Sequence, residues 1–449
     1  MSESYDLILR GGIVVTPNGR EEIDVGVRAG RIVALGSLAG VAAKETLFAS
    51  GLHVLPGVID TQVHFREPGL EYKEDLESGT RGAVLGGVTG VFEMPNTKPS
   101  TLTTEDFEEK MRRAKGRAWC DYAFYIGGAA ENVMELARLE RLPGCSGVKV
   151  FMGASTGTLL VPDDATLDAI LKNSYRRMAV HCEDEDRMNA RKPMTRLPGV
   201  TAHVHPEWRD AQSALLATQR LVKLARNRGR RVHVLHVTTA DEMVFLRDHK
   251  DIASVETTPQ HLTLAAPECY DRLGTLAQMN PPIRDAHHRD GLWHGVREGI
   301  VDVIGSDHAP HTLEEKAKPY PDSPSGMTGV QTLVPIMLDH VNAGRLTLER
   351  FVDLTSAGAA RLFNIAGKGR IALGYDADFT LVDLKTRRRI ENKWIASKAG
   401  WTPYDGMTVI GWPTATIIRG HIVMRDDQLV ATPQGAPIRF QETMPKEEA

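Results

Sequence analysis

Three histidines, one lysine and one aspartate carry the chemistry that stands out in this sequence: His64, His181, His236, Lys149 and Asp307. Each lies within or just past a short apolar run. His64 follows the run ending near Ile59, Lys149 lies inside 147–151, His181 closes 178–181, His236 closes 232–236, and Asp307 follows 301–305. Imidazole and carboxylate suit zinc and related divalent ions, and a catalytic metal site keeps a position open for water. Taken singly, each residue has a structural explanation too, since aspartates cap loops and helices and a strand-end histidine can simply pack. Lys149 is harder to place, because burying an unpaired ammonium is costly; a buried ion pair or a side chain that reaches to the surface would be its structural explanation. A buried lysine readily loses its proton. The neutral amine can then add carbon dioxide to become a carbamate, a two-oxygen anion able to bridge two metals.

For these residues to meet, the runs that bear them must stand side by side. Eight strand-like runs alternate with helix-length segments: the run ending near Ile59, then 88–94, 122–126, 147–151, 178–181, 232–236, 252–256 and 301–305, with helical stretches such as 105–114 and 211–226 between them. That alternation predicts an α/β fold, a (β/α)8 TIM-type metal-dependent hydrolase barrel over 57–365. In such a barrel, side chains at the C-terminal ends of different strands converge on one mouth. The flanks read differently. Short strands at 5–10, 13–16, 23–27 and 32–35 precede the barrel, and 376–383, 414–419 and 421–424 follow it. Residues 1–56 and 366–449 are therefore expected to form one small β-sandwich built from both chain ends.

Of the 449 residues, 42% are hydrophobic and 25% charged, as in an ordinary folded protein. No apolar run approaches the roughly 20 residues a membrane-spanning helix needs, and the N-terminal segment lacks the pattern of a secretory signal; no membrane partner and a cytoplasmic location are expected. A formal charge of -4 gives no general reason to bind nucleic acid. Cys120, Cys145, Cys182 and Cys269 are scattered without CxxC pairing, which argues against a disulfide framework or a thiolate zinc site. The expected partner is a small molecule. No heptad seam marks a subunit contact, although the barrel helices and the β-sandwich both offer surfaces for a homo-oligomer.

Several segments together resemble the amidohydrolase superfamily, and within it the dihydroorotases with their allantoinase and hydantoinase relatives. They are GVIDTQVHFREPG (57–69), EMPNTKP (93–99), GVKVFMG (147–153), VHCED (180–184), VHVLHVTT (232–239), TTPQHL (257–262), MNPPIR (279–284), GSDHAPH (305–311) and the late KGRIALGYDADFTLVDL. The resemblance implies a carboxylated Lys149 bridging two metals, with His181 and His236 on one and His64 and Asp307 on the other. It also implies that Asp307 moves the catalytic proton. Arg66 matches the guanidinium that grips a substrate carboxylate, and Asn96, Asn280 and His311 match its companions. An arginine at 66 favours a carboxylate-bearing ring over a neutral hydantoin. The implied activity is therefore reversible hydrolysis of L-dihydroorotate to N-carbamoyl-L-aspartate, in pyrimidine biosynthesis. The alternatives are another cyclic amide of the allantoin or hydantoin type, or a catalytically silent structural subunit.

The sequence departs from the family pattern at Gln62, where His-x-His is usual and Gln62-Val63-His64 stands instead. Residues two apart on a strand face the same side, so Gln62 still points into the site with a poorer ligand. One zinc ion is expected to bind firmly, and the site of His64 and Asp307 to be weakened. Gln260 likewise replaces a histidine of the family pattern. The loop 153–161, rich in Gly, Ser and Thr, reads equally as a cover over the substrate or as a static turn.

Overall fold

The computed structural model describes residues 4–155 and 157–444. Thr156, in the loop just named, lies outside them.

Five strands precede the barrel: β1 (Tyr5–Thr16), β2 (Gly19–Arg28), β3 (Arg31–Gly36), β4 (Ala43–Phe48) and β5 (His53–Pro56). The two runs expected at 5–10 and 13–16 are one strand, interrupted by a register shift between Leu9 and Gly12. Eight strands then form a parallel sheet that is nearly closed: β6 (Val58–Val63), β7 (Val88–Glu93), β8 (Asp121–Gly127), β9 (Cys145–Phe151), β10 (Met178–His181), β11 (Val232–Val234), β12 (Ala253–Thr257) and β13 (Val303–Ile304). Each pairs with its sequence neighbour, as short strands linked by helical crossovers must. Closure between β13 and β6 is made by side chain and loop. Asp60 Oδ1 accepts the Ser306 N–H at 2.9 Å, and the His64 N–H donates to the His308 carbonyl at 2.7 Å. Helices such as Thr104–Ala114 and Ala211–Arg228 wrap the outside. The barrel strands are buried along their whole length, which is why they read as continuous apolar runs instead of alternating ones.

β14 (Phe379–Arg389), β15 (Thr408–Ile418), β16 (His421–Arg425) and β17 (Gln428–Leu429) join the N-terminal strands in one nine-stranded mixed sheet, in the order β17-β16-β15-β14-β5-β1-β2-β3 with β4 on β1. The chain ends thus share one β unit, with a core of its own that includes Leu7, Val25, Phe379 and Ile417. A buried knot ties it to the barrel: Lys368 Nζ lies 2.7 Å from Asp121 at the start of β8 and 3.1 Å from Asp376, and bonds Asp378 as well. The tail then returns to the barrel floor, where Ile438 and Phe440 pack near Phe92 and Phe363. All four cysteines are free and buried. Among the described residues, no helix is long and apolar enough to cross a membrane.

Candidate active site

The C-terminal ends of the barrel strands bring the expected residues to one cleft, lined among others by Gln62, His64, Arg66, His181, His236 and Asp307. β6 delivers Gln62 and, just past its end, His64. β10 ends on His181. His236 and Asp307 lie two and three residues beyond β11 and β13. Lys149 projects from the middle of β9, and its charge acts on His64, His181, His236 and Asp307 alike.

Three of the cleft residues hold left-handed backbone: Arg66 at φ 64°, His236 at 35° and Asp307 at 44°. Each such non-glycine residue costs about 1–3 kcal/mol, and strain of this kind concentrates at functional sites. The loops after the strands therefore aim these side chains at a cost to stability.

The hydrogen bonds fix which imidazole nitrogens are free. His64 Nδ1–H donates to Asn96 Oδ1 at 2.9 Å, which leaves the Nε2 lone pair facing Asp307 Oδ1 at 3.2 Å. His181 Nε2–H donates to Glu183 Oε2 at 2.9 Å, so its Nδ1 lone pair faces His236 Nε2 at 3.0 Å. Glu183 is held in turn by the Arg209 guanidinium at 3.1 Å. Despite its burial, Arg209 and His181 bring its carboxyl down to about 2. A carboxylate behind a histidine is the usual device for fixing a metal-binding tautomer. Burial holds all three imidazoles below their ordinary range, strongly so for His64 and His236. They are neutral, as ligands must be. Burial also brings Lys149 down to about 7 and pushes Asp307 up to about 7.

These donors fit a divalent cation. The His64 Nε2 lone pair meets an Asp307 oxygen at 3.2 Å, the His181 and His236 ring nitrogens meet at 3.0 Å, and among the described residues the buried Lys149 Nζ and His236 Nδ1 have no hydrogen-bond partner. Among the described residues, no three His, Cys, Asp or Glu side chains form a ready metal cage. The set comprises pairs, and a carbamate on Lys149 would add the missing anionic ligand.

Gln62 takes a role opposite to that of a ligand. Its amide nitrogen donates to Asp307 Oδ1 at 3.0 Å, and its oxygen is buried without a partner among the described residues. Gln260 donates to the Ser306 carbonyl at 2.7 Å and so clamps the backbone immediately before Asp307.

The four residues matched to substrate binding divide in two. Arg66, 2% exposed, donates to the Pro310 carbonyl at 3.2 Å and lies 3.2 Å from His311 Nε2; it has no ion pair among the described residues. Burial lowers it to about 10, still cationic at neutral pH. Asn280 lines the same cleft, with its amide oxygen 3.0 Å from His205 Nε2. Asn96 and His311 stand one step back, one on His64 and the other on Arg66. Sequence reading missed Glu183, His205 and Lys73. Glu183 carried a signal, since it stands two residues beyond a strand-end histidine.

The Amidohydrolase family model matches residues 53–423. A dihydroorotase of Methanosarcina mazei is 31% identical over 442 residues, covering 95% of this chain and 96% of that protein. An allantoinase of Deinococcus radiodurans is 32% identical over 447 residues, covering 97% and 99%. Among solved structures, the L-hydantoinase (dihydropyrimidinase) of Arthrobacter aurescens superposes with a TM-score of 0.93 at 30% identity, covering 97% of this chain and all of that one.

Proposed function

The chain belongs to the amidohydrolase family, in the group of hydrolases that includes dihydroorotases, allantoinases and hydantoinases, and we propose that its substrate is a cyclic amide bearing a carboxylate, with L-dihydroorotate the reading best supported. One observation carries this choice. Arg66 is a buried guanidinium at the cleft without an ion pair among the described residues. An unpaired buried charge is costly, and a substrate carboxylate would relieve that cost through a planar, two-point contact. A neutral hydantoin would leave it unpaired.

In this reading, Lys149 Nζ adds carbon dioxide, forming a nitrogen–carbon bond and releasing a proton. The resulting carbamate, with His181 and His236, would hold one zinc ion, while His64 and Asp307 would hold a second only weakly because Gln62 donates where a ligand is wanted. A bound ion supplies Lewis acidity, making water more acidic and polarising an amide carbonyl. Asp307, which burial brings to about 7, is matched to accept a proton from the attacking water and return it to the leaving ring nitrogen. The Gln62 amide holds its carboxylate in place. Asn280 presents its amide to the ring while His205 occupies its oxygen. The ring opens to N-carbamoyl-L-aspartate, and the reverse reaction closes it.

A panel of cyclic amides tests the assignment. L-dihydroorotate should be preferred over allantoin and unsubstituted hydantoin, and Arg66→Met should raise KM for dihydroorotate by about 10- to 100-fold, the worth of a hydrogen-bonded charge pair. Equal or better turnover of the neutral rings would favour the allantoinase-type reading, which the similarity to the Deinococcus protein keeps in view.

A further inference from the structure

Two pairs of adjacent arginines, Arg176 with Arg177 and Arg230 with Arg231, stand immediately before β10 and β11. These strands are neighbours, with Met178 opposite Val232, so the register brings the two pairs side by side at the N-terminal end of the barrel, away from the cleft. There they line a cavity of about 310 Å³ together with Tyr175 and Glu442.

The cluster is not dispersed by ion pairs. Arg176 Nε lies 3.9 Å from Glu442, the one carboxylate in the lining, which also accepts from the Asn364 amide. The other three arginines have no ion pair among the described residues. What holds them is neutral. Arg177 Nη1 donates to the Val232 carbonyl and the Ser254 hydroxyl, both at 3.1 Å, and Arg230 donates to the Leu171 and Lys172 carbonyls at 3.0 and 3.3 Å. Arg231 is exposed and makes no side-chain hydrogen bond among the described residues. Two carboxylates stand behind the lining, and both are committed elsewhere: Glu140 accepts from the Tyr175 and Arg176 N–H groups at 2.8 and 3.3 Å, and Asp302 pairs with Lys250.

Carbonyls orient a guanidinium but leave its charge unbalanced. Burial, and after it the charge of Arg231, hold Arg177 below its ordinary range. Four cations therefore face one carboxylate across a shared concavity, and each guanidinium has five donors, of which the carbonyls take only some. A compact, multiply charged anion would relieve the repulsion, and phosphate accepts paired guanidinium N–H groups in the right geometry. The cavity is the size of a small-molecule site. A nucleic-acid strand would need a longer basic stripe, and the chain as a whole carries a formal charge of -4.

We propose that this cavity is a second binding site, taking a small phosphate-bearing anion at the barrel floor. It is separate from the cleft and does not depend on which ring the cleft accepts.

Calorimetric titration of the full chain with inorganic phosphate, and separately with adenosine monophosphate, tests the site. Phosphate should bind saturably. Arg230→Gln combined with Arg231→Gln should weaken binding about tenfold or more, the worth of hydrogen bonds to a charged partner, with the circular dichroism unchanged. Glu442→Gln removes the opposing charge and should tighten binding severalfold, a gain that partial unfolding could not produce. Arg66→Met, at the other end of the barrel, should leave phosphate affinity as it is. Tighter binding of adenosine monophosphate would identify a nucleotide as the source of the phosphate group and equal binding would identify the free anion; either result supports the site. No saturable binding of either probe, or an affinity that the double variant leaves unmoved, would overturn the inference.

Discussion

Asp307 accepts from the Gln62 amide at 3.0 Å, and its other close neighbour is the His64 Nε2 lone pair at 3.2 Å. Replacing it with asparagine keeps the shape and removes the proton carrier. Asp307→Asn should lower kcat by about 10²- to 10⁴-fold, the usual worth of a general acid–base group, while zinc on the His181 and His236 side is retained. Steady-state rates and metal analysis on the same sample would check this, and a rate close to the parent's would contradict the role. At this scale the sequence is informative about groups that sit on strand ends, since position in the run places His64, His181 and Lys149. It says little about partners brought in from elsewhere. Nothing near Lys73 in the chain indicates that it meets His311, 238 residues on, and the tautomers of His64 and His181 depend on Asn96 and Glu183 in the folded state. Gln62 was legible as a departure, but its donation to Asp307 was not, because an amide can turn either face.

The strands are short, and the loops that follow them do the aiming. β11 ends at Val234 and β13 at Ile304, so His236 lies outside the strand that its apolar run suggested, and Asp307 lies further beyond its strand than expected. Their left-handed backbone breaks the strand pattern, a feature that residue types do not reveal. The loop after Asp307 returns to pack on itself at Gly326, with φ 145°, where an added Cβ would sit 2.3 Å from the Ala309 carbonyl and 2.9 Å from the His311 ring. Gly326→Ala should therefore displace His311 or the Ala309 backbone and cut kcat/KM by about tenfold or more, since small misplacements near a site are expensive. An unchanged rate, with the far-ultraviolet circular dichroism intact, would show that the loop absorbs the side chain without moving the cleft. The eight runs were readable because a barrel strand is covered on both faces and reads as continuous apolar sequence. β4 and β5 were not, because β4 is largely exposed and polar and β5 is only four residues long.

For the whole molecule, the barrel and the shared β unit followed from the change of pattern at each end, and the joint between them did not. Asp121 is far in sequence from Lys368, Asp376 and Asp378, and the four form one buried ion cluster. Such a cluster costs desolvation unless every charge is matched, and Arg419 supplies a second cation to Asp121. The arrangement fixes the floor of the barrel and leaves the opposite end free for chemistry. The central claim concerns that end, where the described donors fit a metal and Arg66 is buried without an ion pair among the described residues. The most direct test is hydrolysis of L-dihydroorotate by the purified chain, with metal content measured on the same sample before chelation, after it, and after zinc is restored. The account predicts roughly one firmly held zinc ion per chain, activity lost on chelation and recovered with zinc. Full zinc occupancy without turnover of L-dihydroorotate would contradict it.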